Sequence, residues 1–489
     1  MNKLIEIIQS SPLDWTGSNQ QAFEALFGAQ NGRYPNRAKD SVKLRAPKMS
    51  TGDGVSFASY IHPANPDSGA FGGMSFVIFP DEEGKPCLVA MVVGTQGLSP
   101  DENILSRPGH ARKIAAICNW LNNKYGKGKL IAWAKQDPTR VDLDMPEHVK
   151  TTFSAFQSIF NRYGKVIYGI FSPISDNPEA TLEAVNAFLD LMFFERGSSP
   201  LKNFEAESEQ TRNEYYKSML PAMGKNEIEA ILENRRYVVL EGPPGTGKTR
   251  LALELLAQRY QGNGKSIQFH PNTTYENFVG GLSPTTSGNG IGFSFTPKRG
   301  YLIDAVVEAL KNPQKPYLLH IDEINRADLA KVLGEAIFLF EAQDNGARQV
   351  SLAHDFSSPI GNTLQLPTNL HILGTMNSSD RSIAILDIAI RRRFAFIKLW
   401  PQIEVVQRLA CPLMTQAFQD LMSIFIEYAS EDALNLMPGH AYFLEKDEER
   451  AKQVLNTNLY PLLEEYMAQG YVAGFSEHIL AYMQWLKSL

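Results

Sequence analysis

A glycine-rich run between an apolar segment and a helical one carries the clearest chemistry in this sequence. Tyr237–Leu240 is apolar and leads directly into the octapeptide GPPGTGKT that ends at Thr249. Glycines let successive backbone N–H groups point at phosphate oxygens, and the following helix adds the positive end of its dipole. Lys248 adds a charge for the β and γ phosphates, and Thr249 offers a hydroxyl to Mg²⁺. The predicted nucleotide-binding residues of this run are Gly242, Pro243, Pro244, Gly245, Thr246, Gly247, Lys248, Thr249 and Arg250.

Two adjacent carboxylates, Asp322 and Glu323, follow Tyr317–Ile321, an apolar run typical of a buried strand. In open parallel sheets, ligands bind at the carboxyl ends of the strands. We therefore expect Asp322 to hold Mg²⁺ and Glu323 to orient or deprotonate the water that attacks the γ phosphate. The alternative is a pair that caps a helix. The glycine loop upstream favours the catalytic interpretation.

A third candidate, Asn377, follows another short apolar run, His371–Gly374. Its amide can hydrogen-bond the γ phosphate or the attacking water without adding charge. The alternative interpretation is an Asx turn, in which the side chain bonds its own backbone.

The elements that must position these residues follow a strand, loop, helix, strand pattern from residue 226 onward, which predicts an α/β domain with a parallel sheet. A small-residue and proline break at Gly197–Lys202 predicts a boundary before it. After Trp400 and Pro401 the sequence is mostly helical in period. We predict an N-terminal domain over 1–200, a nucleotide-binding domain over 201–400 and a helical domain over 401–489.

The N-terminal region predicts an α+β domain without a catalytic pattern. Met74–Phe79 and Cys87–Val93 are two apolar runs that predict a β hairpin, and His110–Leu121 has the spacing of an amphipathic helix. Ahead of them lies a basic stretch with a single acid, Asp40. Two interpretations stay open: contact with DNA phosphates, or a solvated loop. The basic residues are Arg33, Arg37, Lys39, Lys43, Arg45 and Lys48.

The composition of the chain limits the classes of protein to which it can belong. The 489 residues include 43% hydrophobic and 20% charged residues, the mixture of a soluble globular protein. A formal charge of -6 excludes a uniformly basic nucleic-acid coat. Cys87, Cys118 and Cys411 lack the paired spacing of zinc sites. Without a signal peptide or a long apolar run, we expect a cytoplasmic protein that does not bind membranes.

Several blocks resemble the AAA+ superfamily and, more specifically, McrB-like proteins, the GTP-hydrolysing motor subunits of modification-dependent restriction systems. The runs DEINR and MNxxDRS, with RRRF after them, are the most specific parts. The resemblance implies an AAA+ P-loop NTPase core, a C-terminal helical lid and a separate N-terminal domain. Beside the glycine loop, the blocks are Tyr275–Gly280, Lys315–Leu329, Gly374–Phe396, Pro438–Phe443 and Tyr460–Tyr466.

The resemblance also implies roles for individual residues. Lys248 and Thr249 match Walker A, Asp322 and Glu323 match Walker B, and Asn377 matches sensor 1. The arginines Arg326, Arg392 and Arg393 match residues that act at subunit interfaces, and one of them is the trans-acting finger. The chemistry agrees, since guanidinium groups neutralise the charge of a phosphoryl-transfer transition state, but adjacent arginines cannot all face one phosphate.

Base preference stays open between GTP and ATP. In McrB-like proteins the Asn-x-x-Asp segment is associated with guanine preference, and here it runs from Asn377 to Asp380. Ser378 and Ser379 replace the Thr-Ala of that pattern. We therefore take Asp380 as a nucleotide-binding residue without assigning the base.

At the level of the whole protein, the resemblance implies a homo-oligomeric ring, a hexamer, that uses Mg²⁺ and GTP or ATP. Such a ring would translocate or remodel DNA and activate a McrC-like nuclease subunit in an anti-phage restriction system. Two other functions stay open: a MoxR-like ATPase that remodels proteins, and a scaffold that uses nucleotide only to assemble.

Overall fold

The computed structural model describes residues 1–28, 32–50, 54–81, 86–286, 293–341, 348–379 and 388–489. They form two compact units. Unit 1 comprises Met1–Leu220 with Ile426–Ser430, and unit 2 comprises Pro221–Phe425 with Glu431–Leu489. The division into three domains, with residues 401–489 as a lid, stays a prediction. In the described part of the chain, no helix is both long enough and apolar enough to cross a membrane.

Unit 1 is built on an antiparallel six-stranded sheet in the order β1-β2-β3-β4-β6-β5. The predicted hairpin is confirmed as β3 and β4, and the predicted amphipathic helix lies within α4. The strands are β1 (Lys43–Lys48), β2 (Phe57–Ile61), β3 (Met74–Phe79), β4 (Leu88–Val93), β5 (Ala132–Ala134) and β6 (Ile167–Phe171). The helices are α1 (Asn2–Ser10), α2 (Trp15–Glu24), α3 (Glu102–Leu105), α4 (Pro108–Tyr125), α5 (Glu147–Thr152), α6 (Gln157–Tyr163), α7 (Pro178–Glu195) and α8 (Lys202–Met219), with 3₁₀ turns at Asn36–Ser41 and Ser154–Phe156.

Unit 2 contains the predicted parallel sheet, whose five strands run in the order β15-β7-β14-β11-β8. Its central strands are apolar and buried along most of their length, as expected when helices cover both faces. These strands are β7 (Tyr237–Gly242), β8 (Gly264–Gln268), β11 (Tyr317–Asp322), β14 (Leu370–Asn377) and β15 (Ala395–Lys398). Two antiparallel pairs accompany them: β9 (Gly280–Thr286) with β10 (Phe293–Arg299), and β12 (Val350–Ser351) with β13 (Thr363–Leu364).

Three helices of unit 2, Lys225–Arg235, Lys248–Gln258 and Tyr301–Lys311, contact strands of the parallel sheet, and further helices follow toward the C-terminus. The helices of this unit are α9 (Lys225–Arg235), α10 (Lys248–Gln258), α11 (Tyr275–Phe278), α12 (Tyr301–Lys311), α13 (Leu329–Leu333), α14 (Ile388–Arg391), α15 (Ile403–Leu409), α16 (Pro412–Tyr428), α17 (Glu431–Leu434), α18 (Glu448–Val454), α19 (Tyr460–Ala468) and α20 (Ser476–Ser488). Short 3₁₀ turns lie at Ile324–Arg326, Gly334–Leu339, His440–Phe443 and Ala473–Phe475, with one π turn at Leu455–Leu459.

Candidate functional site

The ends of three neighbouring strands bring the predicted site residues to one edge of the parallel sheet. β7 ends at Gly242, β11 at Asp322 and β14 at Asn377, and β14 lies between the other two. The register pairs Asn377 with Gly242. It also pairs Ile321, next to Asp322, with Gly374. Residues far apart in sequence become neighbours because parallel strands end at the same edge.

The loop between β7 and α10 has the backbone that a phosphate cradle needs. Gly245 and Gly247 both have φ of +80°, a left-handed conformation that residues with a Cβ rarely adopt. Gly247 is also the N-cap of α10, which begins at Lys248. The helix therefore opens with its unpaired N–H groups beside the loop, where an anion is stabilised.

Lys248 is held inside its own loop. Its Nζ donates hydrogen bonds to the carbonyl oxygens of Gly242, at 3.0 Å, and Pro243, at 2.7 Å. Burial lowers its pKa to about 8, although the charges of Glu323 and Asp322 act in the opposite direction. A phosphate beside this ammonium would supply the negative charge that stabilises its protonated form.

Asp322 receives two hydroxyl groups on one carboxylate oxygen. Thr249 Oγ1 donates to Asp322 Oδ1 at 2.9 Å, and the hydroxyl of Thr375 donates to the same oxygen. Thr375 is buried in β14. Thr375 is not among the residues predicted from the sequence, although it directly follows the apolar run His371–Gly374. The structure shows it fixing the orientation of the carboxylate.

Glu323 and Asn377 form the second polar pair at this edge. Asn377 Nδ2 donates to Glu323 Oε1 at 2.9 Å. The backbone of Glu323 has φ of +51°, a left-handed conformation that costs energy for a residue with a Cβ and often occurs at functional sites. Burial raises the pKa of the Glu323 carboxyl, although the nearby Arg326 lowers it. A carboxylate held at one oxygen and made more basic is suited to accept a proton from water.

Arg326 lies in the 3₁₀ turn that follows Glu323 in the same chain. Its Nε is 3.4 Å from Glu323 Oε2, and its side chain is 44% exposed. The structure thus pairs Arg326 with Glu323 of its own chain.

The three adjacent arginines divide between exposed and buried positions. Arg391 stacks over the Phe396 ring at 5.0 Å. Arg392 Nη2 and Arg393 Nε each lie 3.8 Å from Glu341 Oε1. The Arg392 side chain is 64% exposed, whereas that of Arg393 is 9% exposed. Only the Arg392 end of this pair is therefore presented to solvent.

The two remaining predicted residues contribute less to the described geometry. Arg250 Nε donates to Glu254 Oε1 at 3.0 Å, one turn along α10, and its side chain is 72% exposed. Asp380, which was predicted to bind nucleotide, lies outside the described residues.

A segment that sequence analysis left without a role, Pro438–Phe443, docks on the phosphate loop. The Gly439 N–H donates to the Pro244 carbonyl at 2.8 Å, and the Ala441 N–H donates to the Gly245 carbonyl at 3.0 Å. The adjacent proline and glycine signalled a special backbone, but nothing local indicated which segment it contacts. These hydrogen bonds tie the loop to a segment almost 200 residues away.

His440 within this segment lies beside the start of α10. Its Nε2 is 3.6 Å from the position that a Cβ on Gly247 would take. The Gln402 N–H points at its Nδ1 across 3.4 Å, a long hydrogen bond. Burial, with the charge of Arg250 as a second cause, lowers the pKa of His440 to about 4. The imidazole is therefore neutral at pH 7.

Comparison with known proteins shows which family this chain is similar to. Residues 237–394 match the AAA domain (dynein-related subfamily). The chain is 30% identical over 366 residues to the type IV methyl-directed restriction enzyme EcoKMcrB subunit of Escherichia coli (strain K12), covering 66% of this chain and 75% of that protein. It is 29% identical over 202 residues to the type II restriction enzyme BsuMI component YdiS of Bacillus subtilis (strain 168), covering 35% of this chain and 57% of that protein.

Among solved structures, a RuvB mutant from Thermotoga maritima aligns with a TM-score of 0.25 and 15% identity, covering 51% of this chain and 78% of that one. That score is too low to support a conclusion. The relationship to the restriction subunit and the matching AAA domain together show the family of this chain. This chain belongs to the McrB-like family of AAA+ NTPases.

Proposed function

We propose that this chain hydrolyses GTP or ATP as the subunit of a hexameric ring, and that hydrolysis drives DNA translocation or remodelling and activates a McrC-like nuclease. The observation that carries the hydrolytic part is the pair of contacts at one sheet edge: Asn377 with Glu323, and Thr249 with Asp322. The rest is supported by the relationship to restriction subunits.

Each residue at this edge has a separate task in the proposed reaction. The loop amides and Lys248 bind the β and γ phosphates. Glu323 accepts the proton of the attacking water, and the raised pKa of its carboxyl makes that transfer easier. Asn377 holds Oε1 of Glu323, and Arg326 lies against Oε2, the oxygen that would accept the proton once Arg326 moves away. The water oxygen bonds to the γ phosphorus while the bond from that phosphorus to the β-γ bridging oxygen breaks, so the products are inorganic phosphate and the nucleoside diphosphate.

The donor set at Asp322 fits Mg²⁺. Thr249 and Asp322 offer hydroxyl and carboxylate oxygens 2.9 Å apart, the hard donors that Mg²⁺ prefers. Within the described residues, no three His, Cys, Asp or Glu side chains gather as a metal cage. This agrees with Mg²⁺, which is usually held by one or two protein oxygens together with substrate phosphates and water. When bound, it neutralises charge on the phosphate oxygens.

Arg392 is our choice for the finger that acts on the neighbouring subunit, because its side chain is exposed and that of Arg393 is not. A guanidinium supplied in trans makes hydrolysis depend on assembly. Arg326 is the second candidate, since it would have to leave Glu323 of its own chain. We propose that buried Arg393 positions the turn that carries Arg392.

Hydrolysis is tested with the purified full chain by measuring phosphate release from GTP and from ATP with Mg²⁺. We expect Lys248→Ala and Glu323→Gln each to abolish turnover. Glu323→Gln should still bind nucleotide, which a rise in melting temperature would show. Glu477→Gln, at an exposed position of the same unit, is the control and should retain full activity. Wild-type turnover in Glu323→Gln would show that the site is misassigned. The two nucleotides, compared in the same assay, give the base preference.

The finger is tested by mixing inactive chains. Lys248→Ala lacks a working phosphate loop but keeps its arginines, whereas Arg392→Ala keeps the loop. A mixture should regain hydrolysis, because the first chain supplies Arg392 to the site of the second. The same experiment is repeated with Arg326→Ala in place of Arg392→Ala. The arginine whose variant regains hydrolysis in the mixture is the finger. If neither mixture regains activity while both variants still assemble, the trans mechanism is wrong.

The DNA and nuclease parts are tested by adding DNA and the product of a neighbouring reading frame to the hydrolysis assay. We expect both to change the turnover rate. Turnover that responds to neither would instead favour a protein-remodelling ATPase. A single slow turnover without multiple rounds would favour a nucleotide-dependent scaffold.

A further inference from the structure

A cavity of about 380 Å³ opens beside the sheet of unit 1, and none of its lining residues is assigned to hydrolysis. Strands β1 to β4 form its floor, which is apolar where Val77 and Val92 line it. The wall contains the rings of Phe57, Phe71 and Tyr163. Its volume is in the lower part of the range for small-molecule sites, roughly 300–1,000 Å³.

The charged residues around this cavity are all cations. Arg45, Lys48 and Arg162 line it, and none of its lining residues is acidic. In the described part of the chain, no carboxylate pairs with Arg45 or Lys48. Two such cations beside an apolar surface attract anions, because an anion would supply a counter-charge to Arg45 and Lys48.

Arg45 provides a second indication of an anion. Its guanidinium lies between two rings, 5.1 Å from the centre of Phe71 and 5.9 Å from that of Phe57. Its Nη1 is buried and has no hydrogen-bond partner among the described residues. Buried polar groups normally find such a partner, so an unpaired donor here indicates an absent acceptor. A phosphate oxygen is an acceptor that guanidinium groups bind well.

The other cations of the basic stretch, by contrast, are largely neutralised within unit 1. Three of these cations are paired with carboxylates of the same unit. Arg33 is buried and paired with Asp190 and Glu207, Lys39 is paired with Glu24, and Lys43 with Asp67. Within this stretch, Arg45 and Lys48 are the cations that line the cavity.

The aromatic wall suits a flat ring. Tyr163 lies 6.0 Å from Phe79 and 6.4 Å from Phe57, measured between ring centres. Phe71 and Tyr163 are only partly buried, so parts of their surfaces are open to a ligand. Stacking of a base on an aromatic ring contributes about 1–3 kcal/mol in nucleic-acid complexes.

We infer that this cavity binds a free nucleoside 5′-monophosphate, with its base against the Phe71 and Tyr163 rings and its phosphate on Arg45 and Lys48. A terminal phosphate carries close to two negative charges at pH 7, and therefore matches two cations. A phosphodiester within a strand carries one. The charge balance thus favours a free nucleotide over a nucleotide within DNA, and it does so independently of the hydrolysis site.

The test uses the full chain with Lys248→Ala, so that the phosphate loop does not compete for ligand. AMP, GMP, CMP and UMP are titrated by isothermal calorimetry. At least one should bind with Kd below about 1 mM, and the corresponding nucleoside should bind at least about tenfold more weakly. Arg45→Gln or Lys48→Gln should weaken binding by about tenfold or more. Arg37→Gln makes the same charge change in the same stretch but outside the cavity, and should leave binding unaltered.

Melting temperatures show whether each variant folds. If Arg45→Gln does not fold, Lys48→Gln still tests the cavity, because Lys48 is exposed. Binding that is unchanged in both variants, or absent for all four nucleotides, overturns the inference. A single-stranded oligonucleotide that competes as strongly as the best monophosphate would assign the cavity to a strand and overturn the free-ligand assignment. These binding measurements do not depend on hydrolysis at the phosphate loop, so a failure of the proposed hydrolysis would not change their outcome.

Discussion

Gly439→Ala tests whether the segment docked on the phosphate loop sets the geometry of that loop. An ideal Cβ at position 439 would lie 2.1 Å from the carbonyl carbon of Gly245, 2.2 Å from its oxygen and 2.5 Å from the amide nitrogen of Thr246. All three are backbone atoms, so no side chain can rotate away. Ordinary contact begins at 3.4 Å, and the two backbones must therefore separate by about 1.3 Å, the difference from 2.1 Å.

A shift of this size is large for a catalytic loop. It would lengthen the hydrogen bond from Gly439 to Pro244, now 2.8 Å, beyond the useful range. Displacement of reacting groups by about 1 Å can lower a rate roughly 10²-fold. We therefore expect kcat/KM for the preferred nucleotide to fall about 100-fold, which corresponds to about 2.7 kcal/mol of transition-state stabilisation.

The assay is phosphate release over a range of GTP and ATP concentrations, with melting temperatures measured for each variant. Gly474→Ala is the matched control, because a Cβ there meets no atom within 4 Å and the residue lies in the same unit. The control should behave as wild type. If Gly439→Ala keeps kcat/KM within about threefold of wild type, the docked segment does not set the loop geometry and the reasoning fails.

Three further predictions concern residues at the sheet edge. The folded-state pKa of Lys248, about 8, lies below the ordinary 10.5, so the unfolded chain binds more protons between pH 8 and pH 10.5. In that pH range the unfolding free energy without nucleotide should rise with pH, by at most about 1.4 kcal/mol per pH unit. Urea unfolding should show this rise in wild type and a smaller one in Lys248→Met, and equal pH profiles would contradict it. Thr375→Val removes a hydroxyl from Asp322 and should raise the Mg²⁺ concentration for half-maximal hydrolysis about 10- to 100-fold, with Thr375→Ser close to wild type; an unchanged Mg²⁺ requirement in Thr375→Val argues against its positioning role. Asn377→Ala releases Glu323 and should lower kcat about 10²- to 10³-fold with little change in KM, whereas a loss confined to KM would point to a binding role.

Much of the fold was accessible from the sequence because its signals are local. An apolar run before a glycine loop, and a helical period after it, predict strand, turn and helix whatever the rest of the chain does. The acids after Tyr317–Ile321 and the amide after His371–Gly374 follow the same logic, since each ends a buried strand. The rule that parallel strands end at one edge then predicts that these groups meet.

The roles of the arginines could not be read in this way. Arg391, Arg392 and Arg393 have the same chemistry and adjacent positions, yet Arg391 stacks on a ring, the Arg392 side chain is 64% exposed and that of Arg393 only 9%. Exposure depends on which other segments pack around the turn. The basic stretch shows the same limit, because pairing of Arg33 with Asp190 joins residues 157 positions apart.

The sequence by itself determined that a phosphate loop, two acids and an amide occur at the ends of apolar strands, because backbone preference and strand periodicity act over a few residues. Only the tertiary structure decided that Gly439 closes on Gly245, that Thr375 orients Asp322, and that Arg45 and Lys48 lie at an aromatic cavity. Those arrangements depend on side-chain packing between distant segments, and no short stretch of sequence encodes which segments will meet.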